Sequence, residues 1–104
     1  MDENSATDLV SMSIIANSGD ARSFAFRALE EVKAGNVEEA ERLLKKSDES
    51  ATLAHKAQTD LLFAEANGDK QDINVLLIHS QDHLMTSMLA AELIKEIILL
   101  YKNK

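Results

Sequence analysis

The longest uninterrupted pattern of the chain lies in residues 73–101, which contain no glycine and no proline. At the helical repeat of about 100° per residue, apolar positions cover roughly two-thirds of the circumference. The charges of its second half gather on the remaining arc: Glu92, Lys95 and Glu96. Two neighbouring helices would not need that much apolar surface, so the pattern predicts a long helix with a second buried face, and hence an oligomer.

Apolar positions at helical spacing also predict a first helix over about residues 7–34. Residues 17–20 (Asn-Ser-Gly-Asp) predict a kink or a break in it, because glycine costs about 1 kcal/mol relative to alanine inside a helix. A simple bend and an opening of the backbone toward a ligand are both compatible with this segment. Arg22, just beyond it, is the only basic residue nearby.

The second helix is predicted from its flanking residues and its seam. Gly35 should end the first helix in a left-handed conformation, and Asn36 should cap the second, with Glu39 completing a capping box. Small residues dominate a near-heptad seam, which favours close helix packing: Val37, Ala40, Leu44, Ser47, Ala51, Ala54, Gln58 and Leu61. His55 lies beside this seam and is interpreted as a structural or interface histidine.

The connections between the helices predict the topology. Residues 68–71 (Gly-Asp-Lys-Gln) form the second predicted turn, and Asp72 is the predicted cap of the third helix. Short connections make successive helices antiparallel neighbours. The sequence therefore predicts an all-α fold, an antiparallel up-down-up three-helix bundle. It should form a single domain over residues 1–104, with residues 1–6 frayed.

Composition excludes several functions. The chain of 104 residues contains no cysteine, so disulfides, thiolate zinc sites and cysteine nucleophiles are excluded. A formal net charge of −7 argues against binding to nucleic acid. The acidic start MDENSATD is unlike a signal peptide, and the apolar run 73–78 is too short to span a bilayer. We therefore expect a cytoplasmic protein without direct membrane insertion.

The candidate chemistry lies near the start of the third helix, where His79, Asp82 and His83 share a face with apolar residues. The rest of that face resembles a core face: Thr86, Ala90, Leu93, Ile97 and Leu100. Buried imidazoles and carboxylates are costly unless they are paired or used. The two histidines, one turn apart, could bind a metal. One could instead be a neutral nucleophile, or the three side chains could merely hydrogen-bond one another.

A cyclic assembly would change the setting of Asp82. If its face is the second buried face, several copies of this carboxylate would meet at low dielectric. Like charges cannot cluster there without protonation or a bound cation. The sequence therefore predicts one of these two outcomes for Asp82 in an oligomer.

The segment IHSQDHLMTSMLAAELI, residues 78–94, resembles the signature of the lactose/cellobiose-type IIA components of the bacterial sugar phosphotransferase system. The resemblance covers essentially the whole chain from about residue 9 to residue 102. Asn36 stands where an aspartate is common, and Ser80 occupies a variable small-residue position. Other segments agree with it: Ile14-Ile15, Gly19-Asp20-Ala21-Arg22-Ser23, Ala28-Leu29, Gly35-Asn36, and His55 with Gln58-Thr59.

The resemblance implies a homotrimer of three-helix bundles that accepts a phosphoryl group from the phosphocarrier HPr and passes it to the cognate IIB component. By match to the motif, His79 is the acceptor, and Gln81 and His83 hydrogen-bond the phosphate. Asp82 matches the acidic residue of the threefold axis, which is associated with a divalent cation such as magnesium. Ile78, Leu84 and Met85 should form a docking surface for both partners. That surface is predicted from their apolar side chains near His79.

The implied function is that of a phosphotransferase component, with a phosphohistidine intermediate, in the uptake of a β-linked disaccharide. Cellobiose, lactose and chitobiose are the candidate sugars, and the membrane IIC component would choose among them. Two alternatives remain from the residues alone. One is a non-catalytic helical oligomerisation module, and the other is a bundle that binds metal through histidine and aspartate.

Overall fold

The structure, a computed structural model, describes residues 5–104. These residues form three α-helices: α1 (Ser5–Lys33), α2 (Val37–Ala66) and α3 (Val75–Lys102). The all-α prediction is thereby confirmed. Of the six residues predicted to be frayed, the first four lie outside the described residues, whereas Ser5 and Ala6 begin α1. None of the described helices is both long and apolar enough to cross a membrane.

Hydrogen bonds between helices establish the up-down-up order. Between α2 and α3 they join early residues to late ones, so these helices are antiparallel: Glu41–Lys102, Asp48–Lys95 and Gln58–Gln81. Between α1 and the start of α3 they follow the same direction: Asp8–Asn74 and Ser18–His83. Helix α1 packs extensively against both other helices, whereas α2 and α3 meet less. The short loops therefore produce the predicted bundle.

The core is aliphatic and has two clusters. The smaller one lies at the end that carries the histidines and consists of Ile14, Ala54 and Leu84. The larger one lies toward the other end: Ala25, Ala28, Val32, Ala40, Leu43, Ala91, Ile94 and Ile98. On each helix one buried serine lies between the two clusters: Ser18, Ser47 and Ser87. Such small side chains allow the three backbones to approach closely.

We expect Ser87→Ala to stabilise the bundle. The Ser87 hydroxyl is buried and has no hydrogen-bond partner among the described residues. Because an unpaired buried hydroxyl costs about 1–3 kcal/mol, its removal should raise the free energy of unfolding by about 1 kcal/mol. Urea denaturation measures this change. Ser47→Ala is the matched control and should lower stability, since the Ser47 Oγ donates to the Ala21 carbonyl at 2.7 Å. Destabilisation by Ser87→Ala would contradict an unpaired hydroxyl.

The turn at Gly35 is as predicted, but the capping box is wrong. Gly35 has a φ of 88°, and the next amide, that of Asn36, donates to the Glu31 carbonyl at 2.8 Å. Asn36 occupies the N-cap position of α2 without a side-chain capping bond. Its amide instead donates to the Glu31 carboxylate, and Glu39 pairs with Arg42. Local ion pairing and turn contacts have taken both side chains away from the cap.

The predicted cap of α3 is also wrong, because the helix begins later. Asn74, not Asp72, is the N-cap, and its Oδ1 accepts from the Leu77 amide at 2.8 Å. The side-chain amide of Asn74 donates to the Asp8 carboxylate at 3.1 Å. This contact with α1 orients the Asn74 side chain that caps α3.

The predicted break in α1 does not occur. Helix α1 is α-helical from Ser5 to Lys33, through residues 17–20, so its backbone does not open toward a ligand. The glycine at position 19 leaves space for a side chain of α3. A Cβ atom there would lie 3.3 Å from Cε1 of His83, which is tighter than ordinary contact.

Candidate functional site

The two histidines of α3 lie together. The ring centroids of His79 and His83 are 5.6 Å apart, and the ring planes meet at 73°, an edge-to-face arrangement. His79 is exposed, whereas His83 is half-buried. One imidazole is therefore open to an approaching molecule, and its neighbour is anchored in the bundle.

Helix α1 anchors His83 through two adjacent residues. The Oγ of Ser18 lies 2.8 Å from Nδ1 of His83, and the same Oγ donates to the Ile14 carbonyl at 2.6 Å. Gly19 leaves room for the Cε1 edge of the ring. The sequence alone predicts a kink or a break at these two residues, not a contact with His83. The usable signal was a serine-glycine pair inside a long apolar helix.

The surroundings of His83 disfavour its charged form. Burial lowers the pKa of His83 below its ordinary value, because desolvation penalises the imidazolium. The guanidinium of Arg22 and the neighbouring ring of His79 lower this pKa further. The ring is therefore neutral at pH 7.

This lowered pKa predicts pH-dependent stability. Below the unfolded-state pKa of about 6.5, the unfolded chain takes up a proton that the folded chain resists. The contribution of His83 is thus present above that pH and lost as the pH falls. Urea unfolding near neutrality and at mildly acidic pH should show a smaller loss of stability for His83→Asn than for the wild type. Identical losses would contradict a buried neutral imidazole.

Gln81 is directed toward α2. Its Oε1 accepts from Nε2 of Gln58 at 2.7 Å, and its Nε2 donates to the hydroxyl of Ser80 at 3.1 Å. The buried Ser80 in turn donates to the Leu77 carbonyl at 2.6 Å. The Gln81 amide is therefore held in a network between α2 and α3. A group bound to His79 would have to compete with these bonds.

Asp82 is exposed and forms no ion pair with another described residue. Its carboxylate forms no hydrogen bond with another described residue, and its backbone carbonyl accepts from the hydroxyl of Thr86 at 2.8 Å. No three histidine, aspartate or glutamate side chains converge as a metal site within residues 5–104. A metal bound within one chain by His79, Asp82 and His83 is therefore unsupported.

His55 does not join the histidine pair. It is exposed on α2 and lines a groove between α2 and α3 with Asp48 and Lys95. Its assignment as a structural or interface residue stays a prediction.

Comparisons with known proteins identify the family of this chain. The chain matches the family model of the lactose/cellobiose-specific IIA subunit of the phosphotransferase system (PTS) over residues 9–102. The chain belongs to this IIA family. The PTS lactose-specific EIIA component of Streptococcus mutans is 46% identical over 103 residues, which cover 99% of this chain and 98% of that protein. As an IIA subunit, the chain is a phosphotransferase component of a sugar phosphotransferase system.

Solved structures of IIA proteins share the fold. The crystal structure of the PTS cellobiose-specific enzyme IIA from Bacillus anthracis matches with a TM-score of 0.91 and 44% identity, covering 99% of this chain and 92% of that one. The solution structure of the IIA(Chitobiose)–HPr complex of the Escherichia coli phosphotransferase system matches with a TM-score of 0.78 and 42% identity. It covers 90% of this chain and 91% of that one. The family identification made from the sequence is confirmed.

The face of α3 that carries Asp82 lies outside the core of the IIA chain. Leu93 is 54% exposed and Leu100 is 70% exposed. These residues resemble core residues in the sequence, but they do not belong to the core of a single chain. The residues that α3 buries lie on another face: Ser80, Leu84, Ser87, Ala91, Ile94 and Ile98.

Proposed function

We propose that this IIA subunit carries a phosphoryl group on His79, received from phospho-HPr and passed to a cognate IIB component. The carrier would serve the uptake of a β-linked disaccharide of the cellobiose, lactose or chitobiose class. The observation that carries the proposal is an exposed imidazole paired with a second imidazole anchored by α1. The IIA(Chitobiose)–HPr complex of a relative supports HPr as the donor.

The proposed transfer uses His79 as a neutral nucleophile. A ring nitrogen of His79 bonds the phosphorus as the bond to the donor breaks, and the electron pair of that bond stays on the donor. Phosphoryl transfer has a loose transition state, so positioning and charge stabilisation provide most of the catalysis. The exposed position of His79 lets donor and acceptor proteins approach in line.

His83 and Gln81 are the proposed hydrogen-bonding partners of the phosphoryl group. His83 lies edge-to-face against His79, so a phosphoryl group on His79 would place negative charge beside its ring. That charge favours the protonated imidazole, which carries a hydrogen on both nitrogens and can donate one to the phosphate. Gln81 would have to exchange its bonds to Gln58 and Ser80 for the phosphate, which makes it a partner of the phosphorylated state only.

The docking surface must be smaller than the sequence predicted. Ile78 is 51% exposed and Met85 is 57% exposed, so both can contact a partner protein beside His79. Leu84 is fully buried in the smaller core cluster and cannot. A surface with few apolar residues suits contacts that must form with HPr, break, and form again with IIB.

The assembly we propose is a homotrimer closed through the exposed face of α3. This face continues from Asp82 through Leu93 and Leu100, and a threefold axis along it would bury the apolar part. Three Asp82 carboxylates would then meet, and oxygen ligands of this kind fit a divalent cation such as magnesium. The ion would neutralise charge at the axis. The location we propose is the cytoplasm, on the basis of the family, with the IIC component at the membrane.

Intact-mass analysis tests the proposal. The protein is incubated with phosphoenolpyruvate, enzyme I and HPr, and one acid-labile phosphoryl group per chain is expected. A reaction without HPr is the control and should give no gain. Absence of any gain with folded protein and active HPr would overturn the carrier function.

A further inference from the structure

We propose that Ser18 of α1 is a positioning residue of the transfer site. Its hydroxyl holds the neutral ring of His83 in the tautomer that is protonated on Nδ1. The unprotonated nitrogen is then always Nε2. This inference rests on the proposed function, because the tautomer of His83 matters to transfer only if His79 carries the phosphoryl group.

The direction of the hydrogen bond follows from counting protons. A serine hydroxyl has one hydrogen to donate and two lone pairs to accept with. The Oγ of Ser18 lies 2.6 Å from the carbonyl oxygen of Ile14 and 3.3 Å from that of Ile15. Both oxygens can only accept, so the hydrogen of Ser18 is directed to Ile14. With that hydrogen used, we assign the remaining contact, 2.8 Å to Nδ1 of His83, to donation by the ring.

Burial makes this arrangement difficult to exchange. The side chain of Ser18 is 1% exposed, so water cannot readily replace either partner. A ring with an unprotonated Nδ1 would place two lone pairs against each other at 2.8 Å, unless Ser18 abandoned the Ile14 carbonyl. Turning the hydroxyl to Nδ1 would give up the 2.6 Å bond to Ile14, whose carbonyl would keep only its backbone bond within the helix. One tautomer is therefore favoured before any partner binds.

Gly19 supports the same position by a different contact. A Cβ atom at residue 19 would lie 3.3 Å from Cε1 and 4.0 Å from Nε2 of His83. Only glycine lets the ring lie this close to the α1 backbone without displacement. The serine thus fixes the hydrogen-bonding pattern of His83, and the glycine leaves room for the ring to lie close to α1.

The consequence for transfer is a defined neighbour for His79. A ring held only by packing could turn over or move its proton, and the atoms beside His79 would then vary between molecules. With Nδ1 donating to Ser18, Nε2 is the only ring nitrogen of His83 left to interact elsewhere, and in the neutral ring its lone pair can only accept. It can donate to the phosphoryl group once the negative charge of that group has brought a proton to the ring, because both nitrogens then carry a hydrogen. Fixed polar groups near the reacting atoms lower the reorganisation that transfer requires.

The experiment reads the tautomer directly. Long-range ¹⁵N–¹H correlation spectra of the unphosphorylated protein, recorded where His83 is neutral, distinguish protonated from unprotonated ring nitrogens. The wild type should show His83 protonated on Nδ1, and Ser18→Ala should show a mixture or the other tautomer. Ser47→Ala removes an equally buried hydroxyl away from the histidines and should leave the tautomer unchanged.

Transfer kinetics complete the test. Ser18→Ala should accept a phosphoryl group from HPr about tenfold more slowly than the wild type, because the site is less well positioned. Ser47→Ala should keep the wild-type rate. A wild-type His83 protonated on Nε2 would overturn the proposal even if Ser18→Ala does not fold. A wild-type tautomer in Ser18→Ala, or an altered tautomer with an unchanged rate, would overturn it as well.

The results that would overturn the role of Ser18 can be distinguished from those that would overturn the proposed carrier function. The tautomer is measured without any phosphoryl donor, so it does not depend on transfer. A wild-type protein that shows the expected tautomer but gains no phosphoryl group from HPr would refute the carrier function instead.

Discussion

His79→Ala should gain no phosphoryl group from HPr, a complete loss by intact-mass analysis after the coupled reaction. The substitution removes the exposed imidazole, and its neighbour cannot easily replace it. His83 is half-buried, and its Nδ1 is bound to Ser18. Because His79 is exposed, the free energy of unfolding should change by no more than about 0.5 kcal/mol, which urea denaturation checks.

Two variants make this result specific to one histidine. His55→Ala removes the exposed histidine of α2 and should accept one phosphoryl group at the wild-type rate. His83→Asn should still accept the group, but more slowly, because the acceptor remains while its neighbour is lost. A phosphoryl group on His79→Ala would contradict the assignment and make His83 the acceptor.

The helices could be predicted because their signals are local. Helical periodicity identified all three, and Gly35 ended α1 because its positive φ suits glycine more than any other residue. Gly19 follows a different rule. It is explained by the ring of His83, far away in the chain, so no local pattern could distinguish it from a helix break. The same limit applies to the start of α3, where Asp8 of α1 orients the Asn74 cap.

In the candidate site too, the features set by local sequence could be predicted and those set by other helices could not. His79 and His83 could be placed side by side from their spacing alone, since residues four apart share one face of a helix. The different environments of the two histidines could not be predicted from spacing. Helix α1 buries His83 and places the hydroxyl of Ser18 against it, while His79 stays exposed. Likewise, nothing in the local sequence of Gln81 shows that Gln58 holds its side chain. Partners on other helices require the packed bundle.

Helix α3 has more apolar surface than one bundle buries, and the sequence pattern does not show which apolar face belongs to the chain's own core. Its periodicity indicated more buried surface than one bundle provides, and the bundle indeed leaves Leu89 56% exposed and Leu93 54% exposed. Periodicity could not say which face belonged to the chain's own core. The structure assigns that core to the opposite set, around Leu84 and Ile94, and so identifies the face available to other chains.

Leu93→Glu should therefore convert the proposed trimer to a monomer, a threefold drop in molar mass by size exclusion with light scattering. In the proposed assembly, three glutamates would be buried together near the axis. Each unpaired charge costs several kcal/mol to desolvate, and the three repel one another. Within one chain the position is half exposed, so each bundle should stay folded, which far-UV circular dichroism checks.

Leu53→Glu separates this effect from a general effect of added charge. Leu53 is 56% exposed on α2, close to the exposure of Leu93, and lies outside the proposed interface. This variant should remain a trimer at the same protein concentration. A monomeric wild type, or a trimeric Leu93→Glu, would show that the exposed face of α3 is not the interface. In that case the apolar residues beyond Asp82 would need another partner, since a surface of this kind is not left bare in water without one.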